Sequence, residues 1–312
     1  MSLFKTTVVS DRLGACLPKR KFGRADEWVT QLGVGGFHVG KAESEQEAQA
    51  IVETALEEGI RFFDMAAEYQ DGRAEHRYGE YLCPKYRDDV FLMTKTKART
   101  GAEATAEIES SLRRMRTDRL DAILMHAIAT VDEPGERIRD GVYEAFLKAK
   151  EQGKVRYLGF SGHLNTDANL RALELLGDQV DVSLMPVNVV DPSDSDSFVK
   201  NVLPVMNKMG VAPLSMKSAA FGHFFEKEVA VENIAATTIV PGRVSMEEAF
   251  QYVLSTPISV WVSGMHKAEF VKKNAEIARN FSKLDDQQME SIVARVEAYR
   301  DNVEVEGYRK WG

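Results

Sequence analysis

The sequence predicts a (β/α)8 barrel of the TIM type, and three observations carry the prediction. Three apolar runs each end in one ionisable group: Ile60 to Phe63 in Asp64, Val90 to Thr94 in Lys95, and Ala122 to Met125 in His126. Positions 64, 95 and 126 are 31 residues apart, about the length of one βα unit. The alternation of short apolar runs with helical periodicity then continues for about eight repeats, and 312 residues suit one barrel domain, 1–312, with loop insertions.

Residues 1–17 carry no pattern and are expected to be loosely held. Residues 18–31 alternate about turn residues near Gly23 to Asp26 and predict a hairpin capping one end of the barrel. Leu32 to Phe37 reads as a first strand opening into a Gly-rich loop, where absent Cβ atoms let a ligand approach the backbone. Ser44-Glu45-Gln46-Glu47 reads as a capping box, and Ala48, Ile51, Val52, Ala55 and Leu56 follow at helical spacing until Gly59. The strand ending in Asp64 comes next, then a helix near 73–82, the Lys95 strand, a helix near 104–117 and the His126 strand. A helix near 140–152, a strand Val155 to Ser161, a helix near 166–176, a strand Val180 to Met185 and a helix near 196–209 follow. A strand Val211 to Met216, a helix near 245–255, a strand Ile258 to Val262 and a helix near 268–280 complete the barrel. An extra helix near 285–300 leads into a tail with Tyr308 and Trp311. Three long connections, 127–140, 217–243 and the tail after 282, are the expected walls of a pocket.

Composition narrows the class of function. With 40 basic and 48 acidic residues the net charge is −8, which gives no basic footprint for nucleic acid or an anionic membrane. No run approaches the length of a membrane span, and Met1 to Thr6 lack the apolar core of a signal peptide. Two cysteines, Cys16 and Cys83, make no disulfide framework, so a reducing cytoplasm is the expected compartment.

In a parallel barrel Asp64, Lys95 and His126 converge on the C-terminal face, joined by Tyr69 from the loop after Asp64. A phenol has an ordinary pKa of about 10 and needs help to exchange a proton at neutral pH. A lysine beside it is expected to lower that value, with an aspartate holding the lysine charged. His126 is then placed to donate a hydrogen bond that orients a carbonyl. The set suits proton transfer to a carbonyl oxygen as hydride reaches its carbon. Two rival chemistries use the same barrel: Lys95 as the Schiff-base lysine of an aldolase with Tyr69 as proton donor, and a metal-dependent hydrolase on His38, His126, His163 and Asp191.

Gly59 to Asp64 with Tyr69, Thr94-Lys95, His126, Gly153 to His163 and Pro186-Val187-Asn188 together resemble the aldo-keto reductase family, from about residue 18 to about 282. The resemblance implies an NADPH- or NADH-dependent oxidoreductase acting on a small carbonyl or alcohol. In it Tyr69 would be the general acid, Lys95 and Asp64 its tuning pair, and His126 the group that orients the carbonyl. The cofactor would meet Gly36, Phe37 and Asp64 at the first loops, Ser161 and Gly162 after the fifth strand, and Met216 and Lys217 after the seventh. Ser263, Gly264, Lys267 and Asn274 would bind its adenosine end. Met216-Lys217 resembles the Met-Lys loop of one branch of the family. Several positions depart from the family pattern. Gly162 stands for an asparagine, Leu184 for a glutamine and Met216 for a tyrosine. Gly264 and Phe270 stand for the lysine and arginine of many NADPH-selective members, which leaves phosphate recognition to Lys267, Lys272, Ser263 or backbone. These departures also suit a nucleotide-binding redox sensor with little turnover.

Overall fold

A computed structural model describes residues 9–224, 238–239, 242–302 and 304–310. Eight parallel strands close into a barrel: β1 (Leu32–Gly35), β2 (Phe62–Asp64), β3 (Phe91–Thr96), β4 (Leu120–Met125), β5 (Val155–Ser161), β6 (Val182–Pro186), β7 (Ala212–Met216) and β8 (Val260–Ser263). Each strand pairs with its sequence neighbours, and β8 returns to β1 through Trp261 opposite Leu32.

Period-two alternation along the strands builds two cores. Phe62, Phe91, Met93, Ala122, Leu124, Val182 and Leu214 belong to the barrel interior, whereas Phe63, Leu92, Ile123 and Met125 pack outward with the helices. Phe62 and Phe91 stack inside with ring centroids 4.8 Å apart, and Phe63 meets Tyr78 of the helix Arg73–Tyr81 at 5.6 Å. The expected hairpin forms from Lys19–Lys21 and Trp28–Thr30. Its Phe22 meets Phe91 at 4.9 Å and Tyr157 at 5.1 Å, which seals the lower end of the barrel.

Helix starts follow their side-chain caps. Ser44 Oγ accepts from the Glu47 N–H, but Glu47 returns to the Glu43 N–H, so the box expected at Ser44 is half formed. Complete boxes stand at Thr100 and Ser245. Thr100 with Glu103 starts the helix at Gly101, three residues before the start read from the apolar spacing. The close approach of β5 to β6 requires Gly159, where a Cβ would lie 1.9 Å from the Val182 carbonyl oxygen.

Four expectations need correction. Part of the N-terminal stretch is held, since Ser10–Asp11 pairs with Gly14–Ala15 and Arg61 Nε donates to Asp11 at 2.7 Å. The first strand stops at Gly35, and Gly36–Lys41 is a short helix rather than a loop. The helix expected over 196–209 is two pieces, Phe198–Asn201 and Leu203–Met209, because Pro204 cannot donate to a helix continuing from the first. Connection 127–140 contains the helix Glu133–Arg139 and contributes no residue to the main cavity. Of connection 217–243, residues 225–237 lie outside the described residues, as does Trp311 of the tail.

The tail helix Asp286–Val296 precedes a strap over the barrel mouth. Arg309 donates to Asp191 at 2.9 Å, Asp194 at 3.1 Å and Glu306 at 2.9 Å. The strap carries the buried Tyr308, whose hydroxyl accepts from Asn188 at 3.0 Å and whose ring lies 5.7 Å from Lys217 Nζ.

Candidate active site

The same alternation that aims Phe62 inward also aims Asp64, two residues on; likewise Met93 leads to Lys95 and Leu124 to His126. The interior's apolar layers thus end in polar groups at the mouth. Lys95 Nζ, fully buried, lies 2.6 Å from Asp64 Oδ1 and donates to the Met65 carbonyl oxygen. It also donates to the Tyr69 hydroxyl at 3.4 Å, and its ammonium is 5.0 Å from the centre of that ring. Tyr69 stands edge-on to Phe37 at 5.3 Å and to His126 at 5.6 Å. The four residues expected to converge do converge.

Their charge states follow from burial and proximity. Burial works against the ammonium of Lys95, but Asp64 and Tyr69 outweigh it and raise its pKa, so the lysine is held charged. Burial also raises Asp64, opposed by Lys95. Tyr69 departs from expectation. Its removal from water outweighs the pull of Lys95, and its pKa is pushed up to about 12 rather than lowered. Asp64 sits so close to Lys95 that the pair presents little net charge to the phenol. A phenol held there keeps its proton across the neutral range, the form that can donate one.

Sequence reading passed over Glu68, immediately before Tyr69. Its Oε1 lies 2.5 Å from His126 Nδ1, close enough for the carboxylate to act on the ring though without hydrogen-bond geometry, and Lys97 Nζ is 3.8 Å away. Burial lowers the His126 pKa to about 4, partly opposed by Glu68. The available signal was a carboxylate in a short loop flanked by Asp64 and Tyr69.

Beside these groups opens a cavity of about 510 Å³ that runs from Asp64 and Tyr69 to Lys267 and Asn274. Besides Asp64 Oδ1, which faces the Lys95 ammonium, three residues lining it carry buried polar atoms with no hydrogen-bond partner among the described residues: Ser218 Oγ, Trp261 Nε1 and Asn274 Oδ1. Such atoms cost free energy unless a polar ligand meets them.

The aldo/keto reductase family model matches residues 31–297. The chain belongs to the aldo-keto reductase family. Members are NAD(P)-dependent oxidoreductases, and some relatives are similar over nearly their whole length, others over about half of it. An uncharacterized oxidoreductase of Bacillus subtilis, YqkF, is 24% identical over 300 residues, 88% of this chain and 95% of that protein. A methylglyoxal reductase of Escherichia coli, YeaE, is 33% identical over 139 residues, 44% of this chain and 46% of that one. Among solved structures, the holo form of an aldo-keto reductase from Bacillus halodurans superposes with a TM-score of 0.73 at 23% identity, covering 89% of this chain and 96% of that one. An aldo-keto reductase from Klebsiella pneumoniae in complex with NADPH gives 0.69 at 22% identity, covering 87% and 92%.

Against that family pattern the expected cofactor residues divide. Phe37, Asp64, Met216 and Lys217 line the cavity near Tyr69, and Ser263, Gly264, Lys267 and Asn274 line its far end. Gly36, Ser161 and Gly162 do not line it. Gly36 faces the backbone of β2, where a Cβ would meet the Asp64 carbonyl at 2.4 Å. Ser161 Oγ accepts from the Ala127 N–H at 3.0 Å, and a Cβ on Gly162 would collide with Asn169. Their glycines and serine answer to packing here. Gly264 also has a packing reason, because the His38 ring fills the place of its side chain. Among the rival metal ligands, Asp191 is occupied by Arg309, Ser197 and the N–H groups of Phe198 and Val199.

Proposed function

We propose that this chain reduces an aldehyde or ketone to an alcohol, or runs the reverse reaction, with NADPH or NADH and with Tyr69 as the proton donor. The observation that carries this reading is the Tyr69 hydroxyl, 3.4 Å from Lys95 Nζ, at the end of a groove with orphaned polar atoms along it. Bound dinucleotide would supply hydride to the carbonyl carbon. This chain's residues would do the rest. Tyr69 gives its proton to the carbonyl oxygen while Lys95 stabilises the phenolate left behind, and Asp64 keeps Lys95 charged and in place. Phe37 and Met216 supply apolar walls near Tyr69, and Lys217 adds a positive charge whose pKa burial lowers to about 8. Ser263, Lys267 and Asn274 hold the far end of the dinucleotide, with Lys267 the cation available to an adenosine phosphate.

The aldolase reading loses support from the same geometry. A Schiff-base lysine must be neutral to attack, and Asp64 at 2.6 Å holds Lys95 charged. The net charge of −8 and the cavity's size favour a small-molecule substrate over a nucleic acid or a membrane. Among the described residues no helix is long and apolar enough to cross a membrane. We place the protein in the cytoplasm, acting as one domain. Fluorescence titration with NADPH and with NADH tests the cofactor assignment. Saturable binding of either supports it, and a preference for NADPH lost in Lys267→Ala supports the role of Lys267. No binding of either at sub-millimolar concentration refutes the reading.

A further inference from the structure

The strap across the barrel mouth is fastened by more negative charge than its one guanidinium balances. Asp191 and Asp194, in the turn after β6, and Glu306, in the strap, have side chains no more than 2% exposed, and among the described residues Arg309 is the only lysine or arginine paired with any of them. Asp196, half-exposed, stands at the rim 3.9 Å from the same guanidinium. Two of the three buried carboxylates are well solvated by the protein. Asp191 accepts from the Ser197 hydroxyl and from the N–H groups of Phe198 and Val199 besides Arg309. Glu306 accepts from Asn188 at 2.8 Å, from the Tyr308 hydroxyl and from Arg309 Nε at 2.9 Å. Asp194 has less: the Asp301 N–H at 2.6 Å, a shared edge of Arg309 at 3.1 Å, and Glu306 within hydrogen-bond reach. Buried excess charge is relieved by taking up a proton, and Asp194 is the carboxylate with a neighbour ready to share one.

We infer that a proton held between Asp194 and Glu306 latches the C-terminal strap across the barrel mouth, and that losing it in mild alkali lets the strap open. The latch covers part of the main cavity's rim. The Tyr308 ring lies 5.7 Å from Lys217 Nζ and 6.3 Å from the His163 ring, and the Glu304 carbonyl oxygen is 3.0 Å from His223 Nδ1. Burial and Glu306 raise the Asp194 pKa to about 8, while Glu306 is held low. Of the other groups facing the strap, Tyr308 is pushed well above its ordinary value, His163 down to about 3, Asp191 up to about 6 and Lys217 down to about 8. Opening returns Asp194 to water, where a carboxyl titrates near about 3.9. Between those two values each unit of pH therefore favours the open strap by about tenfold, and the effect levels off above about pH 8.

Subtilisin cleavage within 300–310, normalised at each pH to cleavage of an unfolded peptide, reads the open population. From pH 6 to pH 8 the wild-type rate is expected to rise about tenfold per unit, and to level off by pH 9.5. Asp194→Asn keeps a donor toward Glu306 with no proton to lose, and its cleavage is expected to stay slow throughout. Glu306→Gln removes the same excess charge from the other side and should flatten the profile as well, whatever its overall rate. Lys217→Met and His223→Asn should keep the wild-type slope, which separates the carboxyl pair from the other groups at the strap. A wild-type rate independent of pH, a slope retained in Asp194→Asn or in Glu306→Gln, or a slope lost in Lys217→Met or His223→Asn overturns the inference.

Discussion

Replacing Lys95 with methionine tests how charge is balanced beneath the reacting groups. The ammonium is fully buried 2.6 Å from Asp64, whose side chain is 5% exposed. Methionine keeps most of the stem's volume but leaves Asp64 without its cation. Removing one partner of a buried pair costs about 3–5 kcal/mol, set against a total stability of about 5–15 kcal/mol for an ordinary domain. The variant should therefore fold, with its Tm lowered by about 10 °C for a chain of this length. Asp64→Asn removes the stranded charge, so the Lys95→Met, Asp64→Asn double variant should recover most of the loss, to within about 1–2 kcal/mol of wild type. Acid narrows the gap as well. Burial already raises Asp64, and loss of the ammonium raises it further. A folded-state pKa above the unfolded one means stability is greatest below the ordinary carboxylate value and declines as pH rises toward the folded value. Denaturant titrations of the four proteins at pH 5 and pH 8 measure all of this. Additive single effects, or Lys95→Met as stable as wild type at pH 8, would refute the ion-pair account.

Other regions make independent predictions. His38 and His126 are lowered to about 4 and His163 to about 3, each mainly by burial. The unfolded chain then binds more protons below about pH 6.5, so urea midpoints should fall steeply from pH 6.5 to pH 4.5, less steeply in His163→Asn. Gly159→Ala forces a methyl group against the Val182 carbonyl and should cost about 1–3 kcal/mol or more in chemical denaturation, because β5 and β6 must separate to admit it. Arg309→Ala strands Asp191, Asp194 and Glu306 in a buried cluster. It should lower Tm by several degrees and speed proteolysis within 300–310; cleavage at the wild-type rate would show that the strap is held some other way.

Much of the barrel was legible because its strands repeat one physical pattern. Phe62, Phe91 and Leu124 are inward residues of runs too short to be helices, and each run announces its end with a polar group. Val155–Ser161 and Thr166–Leu176 fall where apolar spacing and Gly153 place them. Elements set by contacts distant in sequence were not legible. The Ser10–Asp11 strand is held by Arg61, fifty residues away, and the break at Pro204 was hidden by apolar residues on both sides. At the site, residue types revealed the four convergent groups, but the balance among them depends on burial. That balance moves Tyr69 up, not down, because burial of the phenol outweighs the pull of Lys95, which Asp64 also partly offsets. Glu68 escaped notice because a glutamate in a loop ordinarily faces water, and only the closed barrel brings His126 back beside it. Gly36 was read as an opening for a ligand and Gly162 as a cofactor position by resemblance, whereas the space beside each is filled by a neighbour.

The most direct test of the central claim is single-turnover oxidation of enzyme-bound NADPH by a small aldehyde, in wild-type protein and in Tyr69→Phe. The account predicts that both proteins bind NADPH alike and that the variant's turnover rate falls about 10²–10⁴-fold, the range for loss of a positioned general acid. Equal rates in the two proteins would contradict it, since the proton would then reach the carbonyl oxygen from somewhere other than Tyr69.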